Sequence, residues 1–198
     1  MGVLRNSILA ASALVALSTG AMAGKLSIAT VTPQGVACIF TPACAVTVTD
    51  TTGYFELFGN GGHGSLLVRT YPGLAGTRAA GLTGYSLFIN MRGSTALGTP
   101  NCVEKLTIDT GPVETVNYAG PPAEVFVVGS SGGAGIAKAE LAGGKLTFTF
   151  SKPICPAPSG MTESLYFGFA SKAAPVPGKV QIISEQGAAE VVVRLPKH

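Results

Sequence analysis

The sequence is a succession of short segments in which apolar and polar residues alternate, separated by breaks that contain Gly or Pro. This alternation has the period of two that is typical of half-buried strands. The clearest case is Lys145–Ser151, in which Leu146, Phe148 and Phe150 fall on one face and two threonines on the other. This segment is therefore predicted to be a strand with one buried face.

About eleven segments carry this signature. They are Lys25–Val31, Cys44–Asp50, Ser65–Tyr71, Gly84–Arg92, Val103–Asp109, Glu124–Val128, Gly135–Leu141, Lys145–Ser151, Glu163–Ala170, Lys179–Ser184 and Glu190–Leu195. Gly143 and Gly144 predict a tight hairpin turn before Lys145. No segment has the period of an amphipathic helix. The chain is therefore predicted to be an all-β protein, an antiparallel β-sandwich with a jelly roll as the nearest variant and a barrel as an alternative.

The first 23 residues have a different pattern from the rest. Arg5 precedes an apolar stretch, Ile8–Leu17, and a small-x-small site ends at Ala23. This is the pattern of a secretory signal peptide, Met1–Ala23, and the apolar stretch is shorter than the roughly 20 residues that span a bilayer. We expect one exported domain, Gly24–His198, without a membrane span after cleavage, in a secreted, periplasmic or cell-surface location.

Composition and charge limit the classes of partner that the sequence predicts. The chain holds 27 Gly and 13 Pro with 12% charged residues, which favours turns over long helices. Its formal net charge is +3, and the Lys and Arg residues are scattered. A nucleic-acid surface requires a concentrated basic patch, so no nucleic-acid partner is expected. A surface with little net charge also favours self-association.

Four cysteines, Cys38, Cys44, Cys102 and Cys155, predict two disulfides in an exported protein. Three connectivities are possible. The short segment between Cys38 and Cys44 can form a turn, which favours pairing these two and leaves Cys102 for Cys155. The chain has no Cys-x-x-Cys motif and its histidines do not cluster with the cysteines, so neither a metal nor a cofactor is expected.

The residue types of a hydrolytic triad are present without its motif. His63 could combine with Asp50 or Asp109, and Ser65 follows His63 by two residues. No Gly-x-Ser-x-Gly nucleophile elbow is present, and no catalytic residue is assigned.

A carbohydrate site stays open as an alternative. Carboxylates such as Glu56, Glu104, Glu114, Glu124 and Glu163 could converge in the fold. The chain contains no Trp, which weakens the glycosidase and lectin hypotheses. The aromatic residues that could replace it are Tyr54, Phe55, Tyr71, Tyr85 and Tyr118.

The segment from Arg69 to Leu82 is predicted to contain a long loop between two strands. Arg69, Tyr71 and Arg78 could form a recognition surface, because Arg and Tyr anchor many protein contacts. The simpler interpretation, which we favour, is a surface loop whose Pro and Gly residues only shape turns.

Several stretches taken together resemble a group of secreted bacterial proteins without an assigned activity and, more loosely, the ectodomains of surface proteins with a PEP-CTERM sorting tail. They are Arg69–Gly73, Thr83–Asn90, Cys102–Val113, Phe148–Cys155 and Tyr166–Ser171. The resemblance spans roughly residues 65 to 175. It implies a β-sandwich and a Cys102–Cys155 pair, and it supplies no catalytic residue. The chain lacks the Pro-Glu-Pro motif and basic tail, so anchored sorting is not implied.

These patterns together predict an exported, non-catalytic interaction protein of the structural, matrix or adhesion type, with an extracellular protein or glycan as partner. A carbohydrate-binding or carbohydrate-active module is the first alternative. A surface subunit that self-assembles by strand donation is the second, with Lys25–Val31 and Glu190–Leu195 as the strands that would be exchanged.

Overall fold

A computed structural model describes residues 23–118, 120–129 and 132–197. Apart from Ala23, the predicted signal peptide lies outside this part of the chain. Of the described residues, 57% lie in strands, and they include one 3-10 turn, Val36–Cys38, but no α-helix. The all-β prediction is confirmed.

Two six-stranded sheets contain most of the strands, which are numbered in chain order. We call one the open sheet, because its outer face is polar, and the other the covered sheet, because loops cover its outer face. The open sheet consists, from edge to edge, of β1 (Gly24–Lys25), β12 (Ile136–Ala142), β13 (Lys145–Ile154), β8 (Val103–Asp109), β15 (Pro175–Ser184) and β16 (Gly187–Pro196). The covered sheet consists of β2 (Ile28–Val31), β11 (Val125–Val128), β14 (Phe167–Ser171), β6 (Thr83–Asn90), β5 (Gly64–Pro72) and β3 (Thr49–Phe55). Two short pairs lie outside them, β4 (Asn60–Gly62) with β7 (Ser94–Ala96) and β9 (Val116–Asn117) with β10 (Pro122–Ala123).

The two sheets pack face to face and enclose an apolar cluster, the sandwich core. Both sheets contribute to it, with Leu66 and Phe167 from the covered sheet and Leu106 and Phe148 from the open sheet. The predicted alternation in Lys145–Ser151 is confirmed, because its apolar side chains are buried in this core. The hairpin turn before it is confirmed too. Its two glycines have φ values of +56° and +81°, which the tight turn requires.

The covered sheet is buried on both faces. Val125 and Val127 of β11 belong to the sandwich core, whereas Phe126 between them points to the opposite face. There it joins a second apolar cluster, the outer core, which receives no residue from the open sheet. The outer core consists of Ala29, Val31, Ile39, Phe40, Tyr71, Ala79, Val116, Tyr118, Ala123, Phe126 and Ala170.

Phe40 lies at the centre of the outer core. Its ring centroid is 4.9 Å from that of Tyr71, 5.7 Å from that of Tyr118 and 5.5 Å from that of Phe126. The ring also sits directly over Gly84 of β6, where a Cβ would lie 2.7 Å from it. The loop that carries Phe40 therefore covers the sheet and excludes water from its outer face.

The open sheet has a polar outer face. Thr147, Thr107, Gln181 and Glu190 are register partners across β13, β8, β15 and β16, and they form a row across the sheet. The hydroxyls of Thr107 and Thr147 are 3.1 Å apart. This face matches the half-buried pattern that the sequence predicts for an antiparallel sheet.

Three predicted strands differ from the structure. Lys25–Val31 is divided, because β1 pairs in the open sheet and β2 in the covered sheet, where it runs parallel to β11. The prediction for Cys44–Asp50 is wrong in its first part, since the strand begins at Thr49 and Cys44 has a φ of +58°. Glu163–Ala170 becomes a strand only from Phe167, because the residues before it make isolated bridges to two other segments.

Both predicted disulfides are confirmed. Cys38–Cys44 closes the loop that carries Phe40. Cys102–Cys155 joins the start of β8 to the end of β13, whose neighbouring residues Val103 and Ile154 are register partners. The second disulfide has a sequence separation of 53 against 6 for the first, so it closes much the longer loop and removes more freedom from the unfolded chain.

The edge strands β3 and β16 approach closely where Gly53 faces Val191. A Cβ on Gly53 would lie 2.1 Å from Cγ2 of Val191 and 3.1 Å from the carbonyl oxygen of Val192. The missing side chain lets the edge of the covered sheet close over the edge of the open sheet. This contact fixes the backbone next to Tyr54.

We expect Gly53→Ala to lower the free energy of unfolding by about 1–3 kcal/mol, because the added methyl group overlaps a branched core side chain. Urea unfolding followed by circular dichroism measures this change. Gly98→Ala is the matched control, since a Cβ at Gly98 has no atom within 4 Å. Equal stability of the two variants would show that the sheets do not depend on this close approach.

Candidate functional site

Tyr71, one of the three predicted recognition residues, is fully buried. Its ring packs in the outer core and its hydroxyl donates a hydrogen bond to the carbonyl of Val36 at 3.1 Å. Burial raises the pKa of Tyr71 to about 12, so the hydroxyl stays protonated as this bond requires. Tyr71 therefore makes its contacts inside the protein, and its ring does not contribute to the recognition surface considered for Arg69, Tyr71 and Arg78.

Arg78 fastens the loop that carries Phe40. Its Nη1 donates to the carbonyls of Cys38 and Ile39 at 3.1 and 3.0 Å, and its backbone N–H donates to the carbonyl of Phe40 at 3.0 Å. A charged donor strengthens these hydrogen bonds relative to neutral ones. The loop is thus held at one end by its disulfide and along its length by one guanidinium group.

Arg69 makes an ion pair across the covered sheet. Its Nε and Nη2 donate to the two carboxylate oxygens of Asp50 at 2.7 and 2.6 Å, and the two residues are register partners on β5 and β3. The hydrogen bonds from Arg69 lower the pKa of Asp50. The side chain of Arg69 also interacts with that of Tyr71. Because Tyr71 is fully buried, Arg69, Tyr71 and Arg78 do not form one exposed surface.

An open depression of about 670 Å³ lies where β3 ends beside β16. It is lined by Tyr54, Phe55, Glu56, His63, Ala189 and Glu190. Tyr54 is 65% exposed, whereas the other aromatic candidates on the chain, Phe55, Tyr71, Tyr85 and Tyr118, are buried. We call this the Tyr54 depression, and it is the strongest candidate for a binding site.

The rings of Tyr54 and His63 form one corner of the depression. Their centroids are 4.8 Å apart and their planes meet at 85°, an edge-to-face arrangement that aromatic rings favour. The backbone N–H of His63 donates to the carbonyl of Gly93 at 3.1 Å, and Tyr54 is the register partner of Ser65 on β5. The corner is thus built on two fixed backbones.

The polar groups of the depression differ in whether they already have a hydrogen-bond or ion-pair partner. Glu190 makes an ion pair with Lys179 at 2.7 Å. The Glu56 carboxylate makes no hydrogen bond or ion pair with a residue of the described ranges, and neither do the His63 ring nitrogens. Glu56 and His63 can therefore accept or donate hydrogen bonds to a ligand.

Two exposed apolar residues, Phe58 and Leu97, lie on neighbouring segments beside the depression, and we call this pair the apolar ridge. Phe58 is 82% exposed and Leu97 is 75% exposed, and the two segments are joined where the N–H of Leu97 donates to the carbonyl of Gly59, the residue after Phe58, at 3.1 Å. Glu56 lines both the Tyr54 depression and a smaller one that Phe58 borders. Ridge and depression are therefore neighbours at one end of the sandwich.

Asn101 holds the backbone under the ridge. Asn60 Nδ2 donates to the Asn101 carbonyl at 2.8 Å, and the Asn101 N–H donates to Asn60 Oδ1 at 3.2 Å. Asn101 Nδ2 donates to the carbonyl of Phe58 at 3.0 Å. The exposed ring of Phe58 is thus carried on a backbone that a buried side chain fixes.

Sequence reasoning missed the ridge, although a signal was present. From Tyr54 to Phe58 the structure alternates outward and inward positions, with Phe55 and Leu57 buried. Phe58 is therefore an apolar residue at an outward position. Continuing the alternation of β3 through Phe58 would have predicted this exposed apolar residue from the sequence.

His63 and Asp50, two residues of the disfavoured triad, are not brought together. His63 contacts Tyr54, whereas Asp50 lies at the other end of β3 in its pair with Arg69. In the described part of the chain, no group of three or more His, Cys, Asp or Glu residues that could hold a metal ion is found. None of the described helices is long and apolar enough to cross a membrane.

We expect Arg78→Met to lower the free energy of unfolding by about 1–3 kcal/mol, because it leaves buried carbonyls of the Phe40 loop without their donor. Hydrogen exchange of the backbone N–H groups from Cys38 to Cys44 should accelerate with it. Arg92→Met is the control, since Arg92 makes an exposed ion pair with Glu163 whose loss costs less than about 1 kcal/mol. Equal losses in the two variants would contradict a bracing role for Arg78.

Comparison with protein families, with curated proteins and with solved structures finds no match to this chain. Its function is therefore inferred from the side chains that the fold places at its surface.

Proposed function

We propose that this protein acts outside the cytoplasm as a non-catalytic interaction protein of the structural, matrix or adhesion type. The observation that carries the proposal is the apolar ridge. Large apolar side chains that are exposed together and held on a braced backbone are typical of surfaces that contact a partner. The two disulfides agree with work in an oxidising compartment.

The position of the ridge supports its use in binding. It flanks the β4 and β7 pair, with Phe58 shortly before β4 and Leu97 directly after β7, and its residues do not belong to the outer core, so covering the ridge would not disturb that core. Asn101 fixes the backbone beneath it, which lowers the entropy that a partner must remove on binding.

The second candidate function is carbohydrate binding. The Tyr54 depression favours it, because an exposed aromatic face and unengaged polar groups occur there together. The two candidates are compatible, since an adhesion protein can hold a glycan through one surface and a protein through another.

Self-assembly is the third candidate. Strand addition needs an unpaired backbone edge, and β3 is the outermost strand of the covered sheet, pairing with β5 through seven residues without a bulge. The predicted donor strands are already paired within the chain, β2 with β11 and β16 with β15. Exchange of these strands would first have to break those pairings, whereas addition at β3 would have to accommodate β16, which approaches that edge closely at Gly53.

Light scattering on the oxidised protein distinguishes the third candidate from the first two. Addition at the β3 edge predicts ordered multimers whose size grows with concentration. A monomer at all concentrations would exclude assembly through this edge.

The interaction function is tested with a matrix or cell-surface fraction from the producing cells. We expect the oxidised protein to be retained on it and the Phe58→Ser/Leu97→Ser variant to lose at least nine-tenths of that retention. Leu74→Ser is the matched control, because Leu74 is an exposed apolar residue (52%) outside the ridge. Unchanged retention of the ridge variant would contradict the proposal, as would an enzymatic activity that one substitution at His63 or Glu56 abolishes.

A further inference from the structure

We propose that the Tyr54 depression is a binding site for a pyranose sugar that carries no acid group. The inference rests on the proposed interaction function and names the ligand class of one surface. The shape of the depression, its polar groups without partners and its charge support this ligand class.

The Tyr54 ring offers a flat apolar face to solvent. Pyranose rings have an apolar face of C–H groups, and such a face packs against an aromatic ring. The ring of His63 stands at 85° to that of Tyr54, with 4.8 Å between the ring centroids. The stacking surface is therefore bounded on one side by the His63 ring.

Hydrogen-bonding groups surround this face. The Glu56 carboxylate is exposed and has no partner in the described ranges, so it can accept bonds from two adjacent hydroxyls. The His63 ring and the Tyr54 hydroxyl can each both donate and accept. A sugar ring requires this combination, with polar groups at its rim and an apolar surface below it.

The charge of the depression selects among sugars. Glu56 and Glu190 contribute two negative charges, and Lys179 compensates only Glu190. A uronate or sulfate would place a further negative charge near the uncompensated Glu56 carboxylate, which is unfavourable. Neutral hexoses and amino sugars do not meet this repulsion.

The open form of the depression suits part of a chain. It lies between a strand end and the neighbouring sheet edge and opens to solvent, so the adjoining sugar units of a polymer can extend beyond it. A ligand of several units would thus bind through one ring at Tyr54 while the others remain in water.

The experiment measures the binding of three oligosaccharides of equal length by calorimetry with the full oxidised protein. The probes are a neutral glucose hexamer, a glucosamine hexamer and a galacturonic acid hexamer. We expect a neutral or amino probe to bind with millimolar affinity or better, and the acidic probe to bind at least tenfold more weakly. Tyr54→Ala should weaken binding at least tenfold, whereas Tyr54→Phe, which keeps the ring and loses only the hydroxyl, should weaken it less.

Glu56→Gln should weaken binding of the neutral probe and reduce the preference against the acidic one, because it removes a charge but keeps an acceptor. Leu74→Ala is the control for exposed apolar surface elsewhere, and each variant must melt at the wild-type temperature. The inference is overturned if neither non-acidic probe binds at millimolar concentration, or if Tyr54→Ala binds as well as the wild type. Retention on the matrix fraction with no sugar bound would refute this inference alone, whereas sugar binding without any retention would refute the proposed function alone.

Discussion

The rest of the structure depends on one burial problem, the apolar outer face of the covered sheet. A sandwich needs to bury only one face of each sheet, yet Phe126, Tyr71 and Ala170 point away from the sandwich core. Phe40 solves this problem by packing against the rings of Tyr71 and Phe126, at 4.9 and 5.5 Å between centroids, distances at which aromatic pairs attract. The irregular segments that carry Phe40 and Ala79 therefore serve to cover one sheet.

Because of this requirement, some residues with recognition chemistry stabilise the fold, and the exposed ones lie elsewhere on the molecule. Arg78 and Tyr71, which have the chemistry of recognition residues, hold the covering loop through the carbonyls of Cys38, Ile39 and Val36. The end of the molecule that carries Tyr54 and the apolar ridge has no such cover. The candidate site lies where the outer core does not reach, and this separation lets its exposed side chains serve a partner without weakening the fold.

The sequence predicted those features that depend on local pattern. Alternation identified β13, a glycine pair identified its turn, and the spacing of Cys38 and Cys44 identified the short disulfide. The burial of both faces of the covered sheet was not predictable in this way. A run such as Phe167–Ser171 is compatible with several environments, and the partner that buries its outer side comes from a distant part of the chain.

The candidate site was predictable only in part, for the same reason. Tyr54, Glu56 and His63 were each visible as residues with useful chemistry, but their meeting depends on the pairing of β3 with β5 and on the approach of β16. Tyr71 was assigned to the surface because its environment is set by Phe40, which lies far from it in the chain. The spacing of residues along the sequence does not predict long-range contacts of this kind.

Asn101 connects the backbone of the apolar ridge to the Cys102–Cys155 disulfide. Asn101 fixes the backbone of Phe58, and the next residue in the chain is Cys102, which is joined to Cys155. The Cys102–Cys155 bond therefore limits the motion of the segment that carries Asn101, and through Asn101 it helps to order the backbone of the exposed Phe58. One disulfide thus acts on a surface feature as well as on the pairing of β8 with β13.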